Sequence, residues 1–144
     1  MNAAREGEIY IMTALQINDN YIRKAKVIKV TDGDTADLQI SIGFNVYTVV
    51  TIRLKGINCS DKTLKAELSK EMAKKATKYV TEKILNKDVY VESYKFADGD
   101  FGRYLGIIYY QQGDNWINLN QELLDIGLAK PYFKGASKVE WEDQ

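Results

Sequence analysis

A chain of 144 residues, 45% of them hydrophobic, is long enough for one compact domain with a buried core. It has no histidine and one cysteine, Cys59, which excludes Ser-His and Cys-His catalysis, histidine bases, internal disulfides and cysteine-rich zinc sites. Twenty basic residues balance twenty acidic ones, so any attraction to a polyanion has to come from local placement of charge.

No apolar run reaches the roughly eighteen residues a membrane span needs. The start "MNAAREGEIYIM" carries charges where a signal peptide needs a continuous apolar stretch, so the expectation is a soluble, cytoplasmic protein, with secretion by another route left open. Residues 1–20 read as a leader, poorly ordered over 1–11. "REGE" followed by "IYIM" back-translates into a purine-rich run shortly before an ATG codon, which makes Met12 the expected native start.

From Tyr21 the pattern is β-rich. "YIRKAKVIKV" sets Ile22, Val27, Ile28 and Val30 among lysines. "VTDGDT" (30–35) forms the next turn, tightened by Gly33. "TADLQIS" then alternates, with Ala36, Leu38 and Ile40 on one face and Asp37 and Gln39 on the other. Asp34 shares the parity of the apolar set, so its side chain is expected at the barrel rim. After the turn "SIGFN", the β-branched run "VYTVVTIRL" is apolar on both faces, as in a strand curling into a closed barrel.

"LKAELSKEMAKKATKYVTEKIL" predicts an amphipathic helix whose core stripe is Leu68, Met72, Ala76, Tyr79 or Val80, and Ile84. "DVYVESY" and "RYLGIIYY" return to strand character, joined by "KFADGDFG", whose Asp-Gly pair signals a hairpin. A second helix is expected over Leu119 to Ile126, with Asn118 as N-cap, Gln121 as the residue reaching back to it, and Gly127 as the stop. Five strands, with helices after the third and the fifth, imply an α+β fold: a five-stranded Greek-key β-barrel of the OB type with two helices and room for a third. The domain is expected over 21–135, followed by an acidic tail over 136–144 with Glu140, Glu142 and Asp143.

The chain has four arginines against sixteen lysines, and two of the four, Arg53 and Arg103, lie in apolar strand-like runs. A solvated position is served by lysine, whereas bidentate phosphate recognition needs the planar fork of arginine. A hard cation such as Ca²⁺ takes oxygen ligands from carboxylates, amides, backbone carbonyls and water, so the lack of histidine does not exclude one.

Four clusters follow one another in the chain: "VTDGDT", "IRLKGINCSD", "DGDFGRYLG" and "GLAKPYFKG". In this order and at these spacings the sequence resembles the staphylococcal (micrococcal) nuclease family, the thermonucleases, from about Lys29 to Gly135. The resemblance implies an OB-fold barrel with a Ca²⁺-dependent phosphodiesterase site at its rim, acting on DNA, with RNA left open, to give 3′-phosphate ends with low sequence preference. It implies that Asp34 and Asn58 ligate the metal, with Cys59 adding its backbone carbonyl, and that Asp32 and Thr35 support the turn behind them. Arg53 and Arg103 match the phosphate-binding arginines, and Asp61 falls where a glutamate usually activates water. Phe101 matches an aromatic that contacts the nucleotide, and Tyr132 is a candidate for stacking on a base. The family's second ligand is often aspartate where this chain has Asn58. Two readings therefore stay open: a metal-dependent nuclease, or an OB-fold module that binds nucleic acid or serves as a protein adaptor with weakened catalysis. No membrane and no obligate protein partner is expected.

Overall fold

A computed structural model describes residues 18–59, 67–94 and 103–132, with Arg103 described in its backbone alone. The elements run β1 (Ile22–Asp32), β2 (Thr35–Ser41), β3 (Tyr47–Leu54), β4 (Ile57–Cys59), α1 (Glu67–Ile84), β5 (Asp88–Tyr94), β6 (Arg103–Gln112), β7 (Asn115–Asn118), α2 (Leu119–Asp125) and β8 (Ala129–Pro131). The five long strands predicted from the sequence close into a mixed barrel: β1 pairs antiparallel with β2 and β5, β2 with β3, β5 with β6, and parallel β3–β6 pairing shuts the ring. The fold is the expected OB-type α+β barrel with two helices. The sequence reading did not resolve three short strands. β7 extends β6 through a hairpin, and β4 and β8 form a separate two-stranded ribbon.

Alternation decides the core. Val27, Ala36, Leu38, Ile52, Leu54, Val89, Val91 and Ile108 are buried on the inner face, and each buried aliphatic chain contributes about 1.5–3 kcal/mol relative to exposure. Where β6 meets β3 and β5, Gly106 is required by close approach: a Cβ there would sit 2.9 Å from Ile52 Cγ2 and 3.1 Å from Val91 Cγ2.

The run "VYTVVTIRL" departs from expectation in its first half. Val46, Tyr47 and Val49 are exposed, because β6 pairs with β3 only from Thr51 onward and covers nothing before it among the described residues. The α1 stripe is also corrected. Ser69, Ala73, Ala76, Val80 and Ile84 are buried, whereas Leu68 is exposed and Met72 half-buried. Small side chains face inward because the helix lies close against the β1–β2 turn. A Cβ built on Gly33 would stand 2.7 Å from Ala76 Cβ, 3.0 Å from Cys59 Sγ and 3.2 Å from the Ala76 carbonyl carbon.

Gly33 is thus needed for helix contact, not for a left-handed turn; its φ is absent from the positive glycines, which are Gly43, Gly56, Gly113 and Gly127. Gly33→Ala is expected to cost about 1–3 kcal/mol by overpacking, and Ala76→Gly about 1 kcal/mol by helix propensity. Urea unfolding of the double variant should return part of the sum. Strict additivity would show that the two residues do not press on each other.

α2 keeps half of its expected cap. Asn118 Oδ1 accepts from Gln121 N at 3.0 Å, but the Gln121 side chain turns forward and donates to Asp125 Oδ1 at 2.8 Å. Leu128 N donates to Leu123 O beyond Gly127, closing the helix end.

Candidate functional site

The β1–β2 hairpin carries Asp34 in its two-residue turn, between Asp32 and Thr35, which pair across it. The parity argument holds: Asp34 is 3% exposed. Its Oδ1 accepts from the Thr35 hydroxyl at 3.0 Å and its Oδ2 from the Cys59 backbone N–H at 3.0 Å. Its backbone carbonyl accepts from Leu54 N at 2.8 Å, fastening the turn to the end of β3. A buried carboxylate held this way cannot drift.

Arg53 stands opposite. In β3 it pairs with Thr35, and parallel pairing sets it against Leu105 of β6. Its guanidinium is buried, with Nη2 donating to Asn58 Oδ1 at 3.1 Å and lying 3.9 Å from Asp34 Oδ2. The fork stacks on the Tyr132 ring, 4.8 Å from its centroid. Nη2 is the only nitrogen of the fork that is hydrogen-bonded among the described residues, and no described buried side-chain nitrogen or oxygen lacks a partner, so the other donors face the rim.

The β4–β8 ribbon explains why Asn58, Cys59 and Tyr132 meet here. Asn58 pairs with Lys130 and Cys59 with Ala129, and Tyr132 N donates to Gly56 O at 3.0 Å. The "GLAKPY" segment therefore props the Asn58 loop and puts the aromatic ring under Arg53.

The structure brings together Asp34, Thr35, Arg53, Asn58, Cys59 and Tyr132, with half-buried Asp32 one residue from the turn. The backbone of Arg103 pairs with Thr51, two residues before Arg53 on the neighbouring strand; its side chain lies outside the description. Asp61 and Phe101, the leader over 1–17, the "KFADGDFG" connection and the acidic tail also lie outside the described residues.

Asp34 and Asn58 offer oxygens of the kind a hard cation takes, with the Arg53 guanidinium nitrogen lying between them. Among the described residues no group of three or more His, Cys, Asp or Glu converges, so such a cation would depend on neutral ligands and water beside Asp34.

Two structural contributors were missed in the sequence. Asn120, on α2, is 4% exposed; its Nδ2 donates to Gly106 O and Lys55 O, both at 3.0 Å, and its Oδ1 accepts from Ile108 N at 3.3 Å. It locks the turn that follows Arg53 onto β6. Its position one residue after an N-terminal leucine of a helix gives no local signal. Beside that turn, Lys55 Nζ lies 3.7 Å from the centroid of the Tyr94 ring. Tyr94 donates to Glu92 Oε2, and that acceptor pushes its phenol up to about 12, with burial and the carboxylate charge adding to the shift.

The chain has relatives among known proteins. An uncharacterized protein of Methanocaldococcus jannaschii is 27% identical over 137 residues, covering 83% of this chain and 62% of the relative, so the chain spans under two thirds of that protein. The family model for staphylococcal nuclease homologues matches residues 51–144. The match begins after the Asp34 turn, which joins the matched region through the Asp34–Cys59 and Asp34–Leu54 hydrogen bonds. The family is generally one of nucleases, typically Ca²⁺-dependent. Matched over well more than half of its length, the chain belongs to the family of staphylococcal nuclease homologues.

Proposed function

We propose that this protein is a Ca²⁺-dependent phosphodiesterase that cuts DNA, and RNA as a second substrate class, with low sequence preference to give 3′-phosphate ends. The supporting observation is Arg53: a buried arginine braced by Asn58 and Tyr132 beside a fixed carboxylate, with only Nη2 of its fork hydrogen-bonded among the described residues. A phosphate gains most from such a fork when charge builds on its equatorial oxygens, so the contact stabilises the transition state more than the ground state.

Asp34, Asn58 and the Cys59 carbonyl would hold Ca²⁺. When bound, the ion would supply further positive charge against the growing phosphate charge. Arg53 and Arg103 would grip the phosphate. Asp61 would take the proton from water as its oxygen bonds to phosphorus, and the bond from phosphorus to the 5′-oxygen would break, that oxygen leaving as a hydroxyl with a proton from solvent. Asp32 and Thr35 would keep the Asp34 turn in place, and Phe101 would contact the nucleotide.

Digestion of single-stranded DNA with Ca²⁺ against EDTA, beside Asp34→Ala and Arg103→Ala, tests this. Cutting is expected only in the wild type with metal; cutting that persists in EDTA or in both variants ends the reading. Binding without cutting would favour the module reading, which the lone carboxylate Asp34 among the described candidate ligands supports. Asp61→Glu should raise the rate if the shorter carboxylate limits the reaction.

A further inference from the structure

The outer face of the barrel, away from the rim, carries a band of side chains that the proposed reaction does not use. Cross-strand register sets Val49, Gln39, Lys26 and Asp88 in one row across β3, β2, β1 and β5. A neighbouring row runs Lys24, Tyr90, Tyr109 and Asn118 across β1, β5, β6 and β7. Paired residues share a face of a sheet, so these side chains all stand on the outside.

Two concavities lie along the band. One, of about 370 Å³, is lined by Lys24, Lys26, Gln39, Ser41, Tyr47 and Asp88. The other, of about 230 Å³, is lined by Lys24, Asp88, Val89, Tyr90, Gln111 and Trp116. They share Lys24 and Asp88, so they form one shallow track. Its ends are aromatic: Tyr47 is 56% exposed at one, and Trp116, 47% exposed, packs edge-on against Tyr90 at 5.0 Å at the other. At its centre the Lys24 and Lys26 side chains make no ion pair, hydrogen bond or ring contact with any described residue.

Aromatic planes at both ends of a track with unpaired amines between them match the two demands of single-stranded nucleic acid, base stacking and phosphate neutralisation. A protein partner would be served by the aromatic area alone, and nothing in it calls for two lysines against the single carboxylate of Asp88. The track also leads to the site. Tyr47, Val49, Thr51 and Arg53 alternate onto the same side of β3, so the exposed row that starts at Tyr47 points along the strand to the buried Arg53, about 20 Å away at the rise of a strand.

We infer that the outer face around Lys24, Lys26, Tyr47, Tyr90 and Trp116 is a second contact site for single-stranded nucleic acid, which holds the substrate strand while its scissile phosphate lies at Arg53. The inference rests on nucleic acid being the substrate. Asp88, the one carboxylate on the track, opposes the ligand.

The test is binding of a long labelled oligothymidylate in EDTA, followed in Ca²⁺ by cleavage of that strand and of a dinucleotide-length substrate. Lys24→Ala/Lys26→Ala is expected to weaken binding at least tenfold and to flatten the slope of log K against log salt by about 1.4, the share of two phosphate contacts on a single strand. Trp116→Ala should weaken it by about fivefold to a hundredfold, the range for one lost stack. Asp88→Asn should tighten it severalfold, which a merely structural residue would not do. All three variants should alter KM for the long strand and leave cleavage of the short substrate unchanged. Unaltered affinity, salt slope and KM in all three, with the wild type still cutting, would overturn the second site, leave the nuclease reading standing and turn the face over to protein contacts. A wild type that neither binds nor cuts would overturn both.

Discussion

Arg53→Lys is expected to lower kcat on single-stranded DNA by about a hundredfold to a thousandfold, the range for losing one preorganised donor to a developing oxyanion. Charge is conserved in this change, so Coulomb attraction alone predicts almost no effect. The geometry predicts otherwise. Arginine is planar: one nitrogen is spent on Asn58 Oδ1 at 3.1 Å, the plane rests on Tyr132, and the remaining donors face the rim. A lysine ammonium is a point charge that can satisfy Asn58 or a phosphate oxygen, but not both in a fixed plane. KM should change less than kcat, because the ground-state phosphate still meets a positive charge. Steady-state kinetics with a thermal melt beside them will decide it. A kcat within about fivefold of wild type would mean that the fork geometry is not what acts on the phosphate.

The same residue shows how much of the site was legible in the sequence. Arg53 was singled out because this lysine-rich chain spends an arginine inside an apolar strand, and strand parity put Asp34 at the rim; both positions are buried in the fold. Period-2 alternation located the five barrel strands because each has one face in the core. The short β4 and β8 were not legible, since three residues carry no period; their pairing is set by distant partners, Cys59 with Ala129. Tyr132 was read as a platform for a base, and the fold adds a contact the sequence did not show, its ring lying against Arg53. The stripe of α1 misled for a related reason. Hydrophobicity ranks Leu68 and Met72 above Ser69 and Ala73, but the turn at Gly33 leaves room only for small side chains, and that contact is invisible without the tertiary structure.

Asn120→Leu is expected to be the most destabilising single substitution among these contacts. Leucine nearly matches the volume, so no cavity opens, and the loss comes from polar groups left behind. The buried Ile108 N–H loses its side-chain acceptor and the part-buried Lys55 carbonyl its side-chain donor, while the buried Gly106 carbonyl is left with the Lys55 N–H alone. At about 1–3 kcal/mol for the buried N–H, with a smaller share for the two carbonyls, the cost is roughly 2–4 kcal/mol, a large share of the 5–15 kcal/mol that typically holds a domain folded. Urea unfolding will measure it. Asn120→Asp separates the polar argument from packing. A carboxylate can still accept from Ile108 N–H, but facing two carbonyls it has no proton to give, so its pKa in the fold should rise above the roughly 3.9 of the unfolded chain. A raised pKa means that the folded state holds the proton more tightly. The variant should therefore be least unstable in acid, below the unfolded pKa, and should lose stability as pH climbs through the folded value. Asn120→Leu has no such proton and should show only the wild-type pH trend. If the two variants run parallel from acid to neutral pH, Asn120 serves by shape, and the turn after Arg53 is held by the Lys55 N–H to Gly106 carbonyl bond alone.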